Sequence, residues 1–396
     1  MSVSIVNSKL EDWADSYSGE KFHAVLCDPP YNWNFMQKGW DKVSGDFSDV
    51  VGGWGNALKK VLYPGALVLM FAGPRTAHHV AYGMERSGYD VWDKLIWFYI
   101  SGMPKGQDIG KLIDRAAGAE RERVPATGGL ANYSLMNDDG WAQVGQSAPT
   151  QPSSIASTSA AAPWCGYKTA SLKPAYEEVL CFKLPSGKSY AEVALDTGAG
   201  ALNIDGCRIG TEQGGWHGKA STGYGSFDSD GDPRPTTGRY PSNVLLDEAS
   251  AALMDLEFGT KKRPVDTSRQ ATPATDNCFG EYGQRSTVGK AYGDDGGISR
   301  WFFSSKACTR ERNKGVDGKN THVAVKPLSV CKWLSTLLLP PNVVSERRIL
   351  VPFSGSGSEV IGAMKAGWDS VTGVEMEPEY CSIAEQRIAY WSTHEN

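Results

Sequence analysis

The chain has no apolar run near the roughly 18 residues that a membrane-crossing helix needs; the candidates, 334–341 and 66–72, are far shorter. Its first residues, Met1-Ser2-Val3-Ser4, lack the basic-then-apolar pattern of an export signal, so a cytoplasmic protein with no membrane partner is expected. There is no C-x-x-C pair. The eight cysteines (27, 165, 181, 207, 278, 308, 331 and 381) are scattered, which argues against the paired ligands of a zinc finger or ribbon. Reduced thiols in a reducing compartment, and no metal, are the expectation. An excess of positive charge is missing too: 40 Lys and Arg face 45 Asp and Glu, for a net charge of −5, unlike a general nucleic-acid coat protein. The basic residues are gathered locally instead. Between Ser299 and Lys326 there are seven of them (Arg300, Lys306, Arg310, Arg312, Lys314, Lys319, Lys326) against Glu311 and Asp317, a face suited equally to DNA phosphates or to plain solvation.

What remains is ordinary for a globular protein, with 40% hydrophobic and 21% charged residues over 396 positions, enough for one large α/β domain and a further module. Phe22–Cys27 is apolar and stops at Asp28-Pro29-Pro30, which reads as a buried strand. Residues 32–54 carry Trp33, Phe35, Trp40, Phe47 and Trp54 among glycines and read as a functional loop. A helix near 50–61, a strand at 66–71, a helix at 75–86, a strand at 89–99 and a helix at 107–117 follow. This alternation predicts a parallel, doubly wound sheet. Residues 145–163, nearly all Gly, Ser, Thr, Ala, Pro and Gln, have the composition of a mobile linker. After one more strand at 177–184, periodicity fades from about 197 to 321, as in a loop-rich recognition module. Regularity returns with Val330, Trp333, Leu334, Leu337 and Leu338 on one helical face, ended by Pro340-Pro341. A strand at Arg348–Pro352, a helix at 357–366, a strand at Ser370–Glu375 and a helix at 378–390 complete the pattern.

Two stretches at opposite ends of the chain carry chemistry. Near the C-terminus a strand runs into Phe353-Ser354-Gly355-Ser356-Gly357 and a helix, and Glu375 ends the next strand 18 residues beyond Gly357. That is the logic of a nucleotide crevice: glycines let the backbone approach the ligand and an acid takes the ribose hydroxyls. Dinucleotides are disfavoured because Val360 stands where a third glycine belongs. Near the N-terminus, Asp28-Pro29-Pro30-Tyr31 puts a carboxylate, a fixed carbonyl and an aromatic ring at a strand end. A carboxylate and a carbonyl accepting the two hydrogens of an exocyclic amine would free its conjugated lone pair for attack. Cys27 suggests a covalent route, but no Pro-Cys dipeptide supports one.

Together these motifs resemble the amino-group DNA methyltransferases, in which an Asp-Pro-Pro-Tyr tetrad handles the amine and a Phe-x-Gly-x-Gly turn holds S-adenosyl-L-methionine. The tetrad first and the turn last is the order of the family's beta class. Stretches such as Phe71-Ala72-Gly73-Pro74-Arg75-Thr76, Leu172-Lys173-Pro174-Ala175-Tyr176-Glu177 and Gly238-Arg239-Tyr240-Pro241-Ser242-Asn243 are similar to phage and prophage members. The resemblance implies a Rossmann-like α/β sheet, circularly permuted: 1–196 as catalytic half, 197–321 as target-recognition module and 322–396 as cofactor half. It implies Asp28, Pro29, Pro30 and Tyr31 at the amine, with Tyr31 and Trp33 against a flipped base. Phe353, Ser354, Gly355, Ser356, Gly357 and Glu375 would hold S-adenosyl-L-methionine, with Lys326-Pro327 at its methionine end. The partner would be double-stranded DNA, touched by Arg300 and Lys306; a homodimer stays open.

Three positions depart from the beta class: Val351 where Asp is usual, His322-Val323-Ala324 where His-Pro-Thr is usual, and Ser8 or Lys9 where an acid is often found. Asp28 at the head of the tetrad favours adenine N6 over cytosine N4, where Ser is more frequent. Enzymes that methylate protein glutamine use Asn-Pro-Pro-Tyr with the turn upstream, which fits neither the acid nor the order. A catalytically retired DNA-binding protein on the same scaffold is the reading that Val351 and the altered segment before Lys326 would support.

Overall fold

A computed structural model describes the chain apart from residues 34–40, 42–43, 101, 103–105, 125–152, 214–219, 223–224, 228–236, 263–265, 273–274, 278–279, 283–284, 291–294, 306–308, 323 and 395–396. It divides into two compact units, Met1–Phe98 with Tyr176–Asn396, and Tyr99–Ala175. Among the described residues no helix is long and apolar enough to cross a membrane, and no three metal-ligating side chains converge.

The main sheet of the first unit has nine strands: β1 (Ser2–Asn7), β2 (Phe22–Cys27), β3 (Leu62–Ala72), β4 (Asp90–Phe98), β5 (Tyr176–Lys183), β6 (Val244–Asp247), β7 (Phe303–Ser305), β8 (Arg348–Pro352) and β9 (Ser370–Glu375). They form one sheet in the order β1-β9-β8-β2-β3-β5-β4-β6-β7. Every pairing is parallel except those of β5, which lies antiparallel between β3 and β4. The wholly parallel sheet expected from the alternation is thus corrected at one strand. A parallel return would need a crossover that carries the chain back to the end of the sheet where β4 begins. Here the chain leaves at Phe98 and re-enters at Tyr176, its cross-strand partner, so it runs back the opposite way. Two short strands of the expected recognition segment, β6 and β7, extend this sheet beyond β4.

The helices are α1 (Leu10–Ser16), α2 (Phe47–Val61), α3 (Ala77–Arg86), α4 (Ile109–Ala116), α5 (Tyr190–Thr197), α6 (Glu248–Phe258), α7 (Leu328–Leu337), α8 (Ser358–Ala366) and α9 (Pro378–Thr393). One core cluster joins Leu10 and Trp13 of α1, Trp54 and Leu58 of α2, and Met84 of α3 to Val68 and Met70 of β3. The alternate residues of β3, Leu67, Leu69 and Phe71, are buried as well. A strand covered on both faces must be apolar throughout, which is why this run was legible. Gly362 of α8 lets α7 approach closely: a Cβ there would stand 2.5 Å from the Cβ of Cys331.

The second unit is organised on Asp114 of α4. This buried carboxylate accepts hydrogen bonds from Arg121 Nε (2.5 Å), Thr158 Oγ1 (2.6 Å), Thr158 N (3.0 Å) and Ser157 N (3.1 Å). They hold it down to about pKa 2, with the Thr158 hydroxyl contributing most. Of the expected linker, 145–152 lies outside the described residues, whereas Ser157 and Thr158 are tied to Asp114 by these bonds.

Candidate active site

Strands β9, β8 and β2 are neighbours, and each carries one motif at its C-terminal end: Glu375 ends β9, the glycine turn follows β8, and Asp28 follows β2. From β8 the chain crosses through α8 to β9 on one side, and from β2 through α2 to β3 on the other. The space between β8 and β2 is therefore a topological switch point, where open α/β sheets bind their ligands.

The turn after β8 is held by backbone geometry. Gly355 and Gly357 have φ of 48° and 80°, in the left-handed region, and Phe353 joins them at 55°. Ser354 N donates to Val374 O (3.1 Å) and Gly357 N to Ser354 O (2.7 Å). The carboxylate of Glu375 is set by two backbone donors, Gly355 N to Oε2 (2.8 Å) and Glu377 N to Oε1 (2.9 Å). Burial nevertheless pushes its pKa up. A Cβ on Gly355 would lie 2.7 Å from His322 Nε2, so the imidazole packs directly over the turn. Burial depresses the pKa of His322 to about 4. From below, Arg387 of α9 reaches Ser356 O (2.6 Å), Ser356 Oγ (3.0 Å) and Ser358 Oγ (3.1 Å) with Nη1, and it is fully buried.

The acid end is held by side chains. Asp28 Oδ2 accepts from Lys326 Nζ at 2.6 Å, and Asp28 Oδ1 accepts from the Tyr31 hydroxyl at 2.8 Å. Glu177, on β5, closes the cluster with Oε2 at 3.2 Å from Lys326 Nζ and 3.3 Å from Tyr31 OH. Burial alone would lower the Lys326 pKa, but the charges of Asp28 and then Glu177 outweigh it and hold the amine well above its ordinary value, as an ammonium. Tyr31 is pushed well up by burial and by the same two acids, so its hydroxyl stays protonated. Glu359, buried in the first turn of α8, is raised by burial and then by Asp28.

These contacts join Asp28, Tyr31, Lys326 and, through His322 four residues before Lys326, the glycine turn. Trp33 stands edge-on to Tyr31, ring centroids 5.5 Å apart, under Arg75. Gly73 makes room for both rings, since a Cβ there would be 2.4 Å from Trp33 Cζ2 and 2.9 Å from Tyr31 Cδ2. Lys326, expected at the methionine end of the cofactor and on a basic face, is a buried partner of Asp28; Pro327 caps α7. Arg300 donates to the carbonyls of Gly296 and Gly297 (2.6 Å each) and lies near Trp301. Lys306 and Phe35 fall outside the described residues. Sequence reasoning gave Glu177, Glu359, Arg387 and Gly73 no role in the site. Arg387 left a trace, a charge set in the apolar stripe of Ile383, Ala384 and Ile388; Glu177 left none that tied it to Asp28.

The N6/N4 family described as DNA methylase matches residues 22–386, most of the chain. The chain belongs to this DNA methylase family. The type II methyltransferase M.HindIII of Haemophilus influenzae is 24% identical over 160 residues, which is 40% of this chain and 39% of that enzyme. The matched part is thus well under half of that relative's length. Among solved structures, the M1.HpyAVI–SAM complex covers 97% of this chain and 99% of its own at 12% identity, with a TM-score of 0.40. The PvuII DNA methyltransferase (cytosine-N4-specific) covers 98% and 86% at 11% identity, with a TM-score of 0.46.

The cofactor of this DNA methylase family is S-adenosyl-L-methionine, and the turn fits such a group. Its two left-handed glycines leave the backbone bare, the Glu375 carboxylate is already oriented, and Ser354 Oγ is buried with no hydrogen-bond partner among the described residues. The departure at Val351 is structural: the side chain is fully buried in β8, where an Asp would need a partner.

Proposed function

We propose that this chain methylates the exocyclic N6 amine of adenine within a specific sequence of double-stranded DNA, flipping the target base out of the helix. The observation that carries the reading is the placement of Asp28 and the glycine turn at the ends of adjacent strands, on the two sides of the switch point. When bound, S-adenosyl-L-methionine supplies an electrophilic methyl group. Gly355 and Gly357 admit it, Glu375 takes the ribose hydroxyls with the lone pairs its backbone donors leave free, and Phe353 lies on the adenine side.

Asp28 and the carbonyl of Pro29 accept the two amine hydrogens and turn the nitrogen lone pair toward the methyl group; Pro29 and Pro30 fix the backbone that aims them. The rings of Tyr31 and Trp33 offset part of the few kcal/mol that unstacking the base costs. Lys326 neutralises one of the two carboxylate charges. Held as an ammonium it has no lone pair, so it stands beside the acid without becoming a methyl acceptor itself. The segment 197–321 is assigned target recognition, with Arg300 and Lys306 as phosphate contacts.

The test is to incubate the purified protein with DNA and methyl-labelled S-adenosyl-L-methionine, then digest the DNA to nucleosides. Labelled N6-methyladenosine is expected as its deoxynucleoside. Labelled N4-methyldeoxycytidine in its place would overturn the adenine assignment while keeping amine methylation, and no label in DNA together with no saturable S-adenosyl-L-methionine binding in a calorimetric titration would point to a retired scaffold.

A further inference from the structure

The cluster at Asp28 has room for one proton. Asp28 and Glu177 carry two negative charges and Lys326 one positive, so one acceptor is left over. Tyr31 has a single hydroxyl hydrogen yet stands 2.8 Å from Asp28 and 3.3 Å from Glu177, so it serves one carboxylate at a time and can turn to the other. Glu177 is also the opening to solvent: its side chain is 20% exposed, against 13% for Asp28 and 8% for Lys326.

We propose that Glu177 is the proton outlet of the reaction, receiving through Tyr31 the proton that methylation releases from the amine. The inference rests on the amine-methylation reading above and supplies the step that reading leaves open. The nitrogen lone pair forms the new N–C bond while the C–S bond breaks, its electron pair staying on sulfur. The nitrogen, now cationic, gives one hydrogen to Asp28. Asp28 then donates to the Tyr31 oxygen as the tyrosine's own hydrogen passes to Glu177, and Glu177 yields a proton to water. Tyr31 ends as it began, and Asp28 is again a carboxylate.

The charged groups around Glu177 are compatible with this. Lys326 faces it and is already fully protonated, so it cannot take the proton; Glu359 acts on that same ammonium from α8, and the ammonium in turn helps to keep the His322 imidazole, in the segment before α7, neutral. The next residue on β5, Glu178, is committed to Lys94 at 2.7 Å. Glu177 is a positioning and relay residue, since it touches Tyr31 and Lys326 but no reacting atom.

The test is single-turnover methyl transfer by Glu177→Gln as a function of pH, with cofactor and DNA affinities measured in parallel. Glutamine keeps the shape and still accepts from Tyr31, but cannot take a proton. The variant should transfer about 10- to 100-fold more slowly with both affinities unchanged, and its rate should follow a pH profile different from that of the wild type. Added formate should restore part of the rate, as should Glu177→Asp, and Tyr31→Phe should share the defect. A Glu177→Gln enzyme with wild-type rate and pH profile would overturn the relay. A rate loss matched by an equal loss of cofactor affinity would also overturn it, as damage to the cluster. Absence of transfer by the wild type itself would remove amine methylation, and the relay with it.

Discussion

The two sides of the crevice are held in different ways. On the β8–β9 side the functional groups hang from the backbone: Glu375 is fixed by two N–H donors, and the glycine turn by its φ angles and by its bonds to Val374 and Arg387. On the β2 side the functional acid hangs from other side chains, Lys326, Tyr31 and, through them, Glu177. Backbone donors do not titrate and move little, so they suit a cofactor that must be met the same way each time. A cluster of two acids, an ammonium and a phenol can shift hydrogens without moving heavy atoms, which suits a step that releases a proton. The β8–β9 side is shaped; the β2 side is charged.

Substitutions can break that contrast. Lys326→Met should have the largest effect, because it removes the buried ammonium that Asp28 and Glu177 share and leaves two neighbouring, partly buried carboxylates without it. The expected loss is about 3–5 kcal/mol in denaturant unfolding at neutral pH. A loss confined to activity would show that the ammonium is not what holds the acid side together.

His322 packs over the glycine turn on the β8–β9 side yet titrates, so it sharpens the comparison. The unfolded chain takes up its proton near 6.5, whereas the folded chain refuses it down to about 4. The stability that neutral His322 confers is thus complete above the unfolded value and is lost as pH falls through that window. Relative to His322→Gln, the wild type should lose up to about 3 kcal/mol between neutral pH and pH 4 in unfolding measured pH by pH. A constant difference between the two proteins would contradict the burial assigned to the imidazole.

The smallest effect is expected from Glu375→Gln. An amide oxygen can keep one of the two backbone N–H bonds, while an amide NH2 placed against the other cannot accept. Cofactor affinity should fall about tenfold, near 1.4 kcal/mol, with little change in unfolding, by calorimetric titration. An unchanged affinity would separate Glu375 from the cofactor.

The same contrast explains what the sequence revealed. Phe22–Cys27, Arg348–Pro352 and Ser370–Glu375 were legible to the residue, being unbroken buried runs bounded by proline, glycine or a charge. The glycine turn and Glu375 lie within one supersecondary unit, so their spacing is local and readable. The partners of Asp28 are not: Lys326 is 298 positions away, and Glu177 reaches Tyr31 across 146. No periodicity encodes such pairs. Helix α6 escaped notice within the stretch read as loop-rich because it buries only Ala251 and leaves Leu256 and Phe258 exposed, so it has no apolar stripe. The antiparallel sense of β5 is likewise set by an insertion, Tyr99–Ala175, whose composition does not state the direction of return.

The central claim is that the Asp28 cluster and the glycine turn serve one reaction across one crevice. A bisubstrate analogue, in which the N6 nitrogen of adenosine is joined by a short alkyl chain to the 5′ carbon of a second adenosine, must engage both sides at once. Its affinity should fall in Asp28→Ala and in Glu375→Ala alike, whereas S-adenosyl-L-methionine alone should be weakened only by Glu375→Ala. Wild-type affinity of Asp28→Ala for the analogue would mean that the acid and the turn do not face the same ligand.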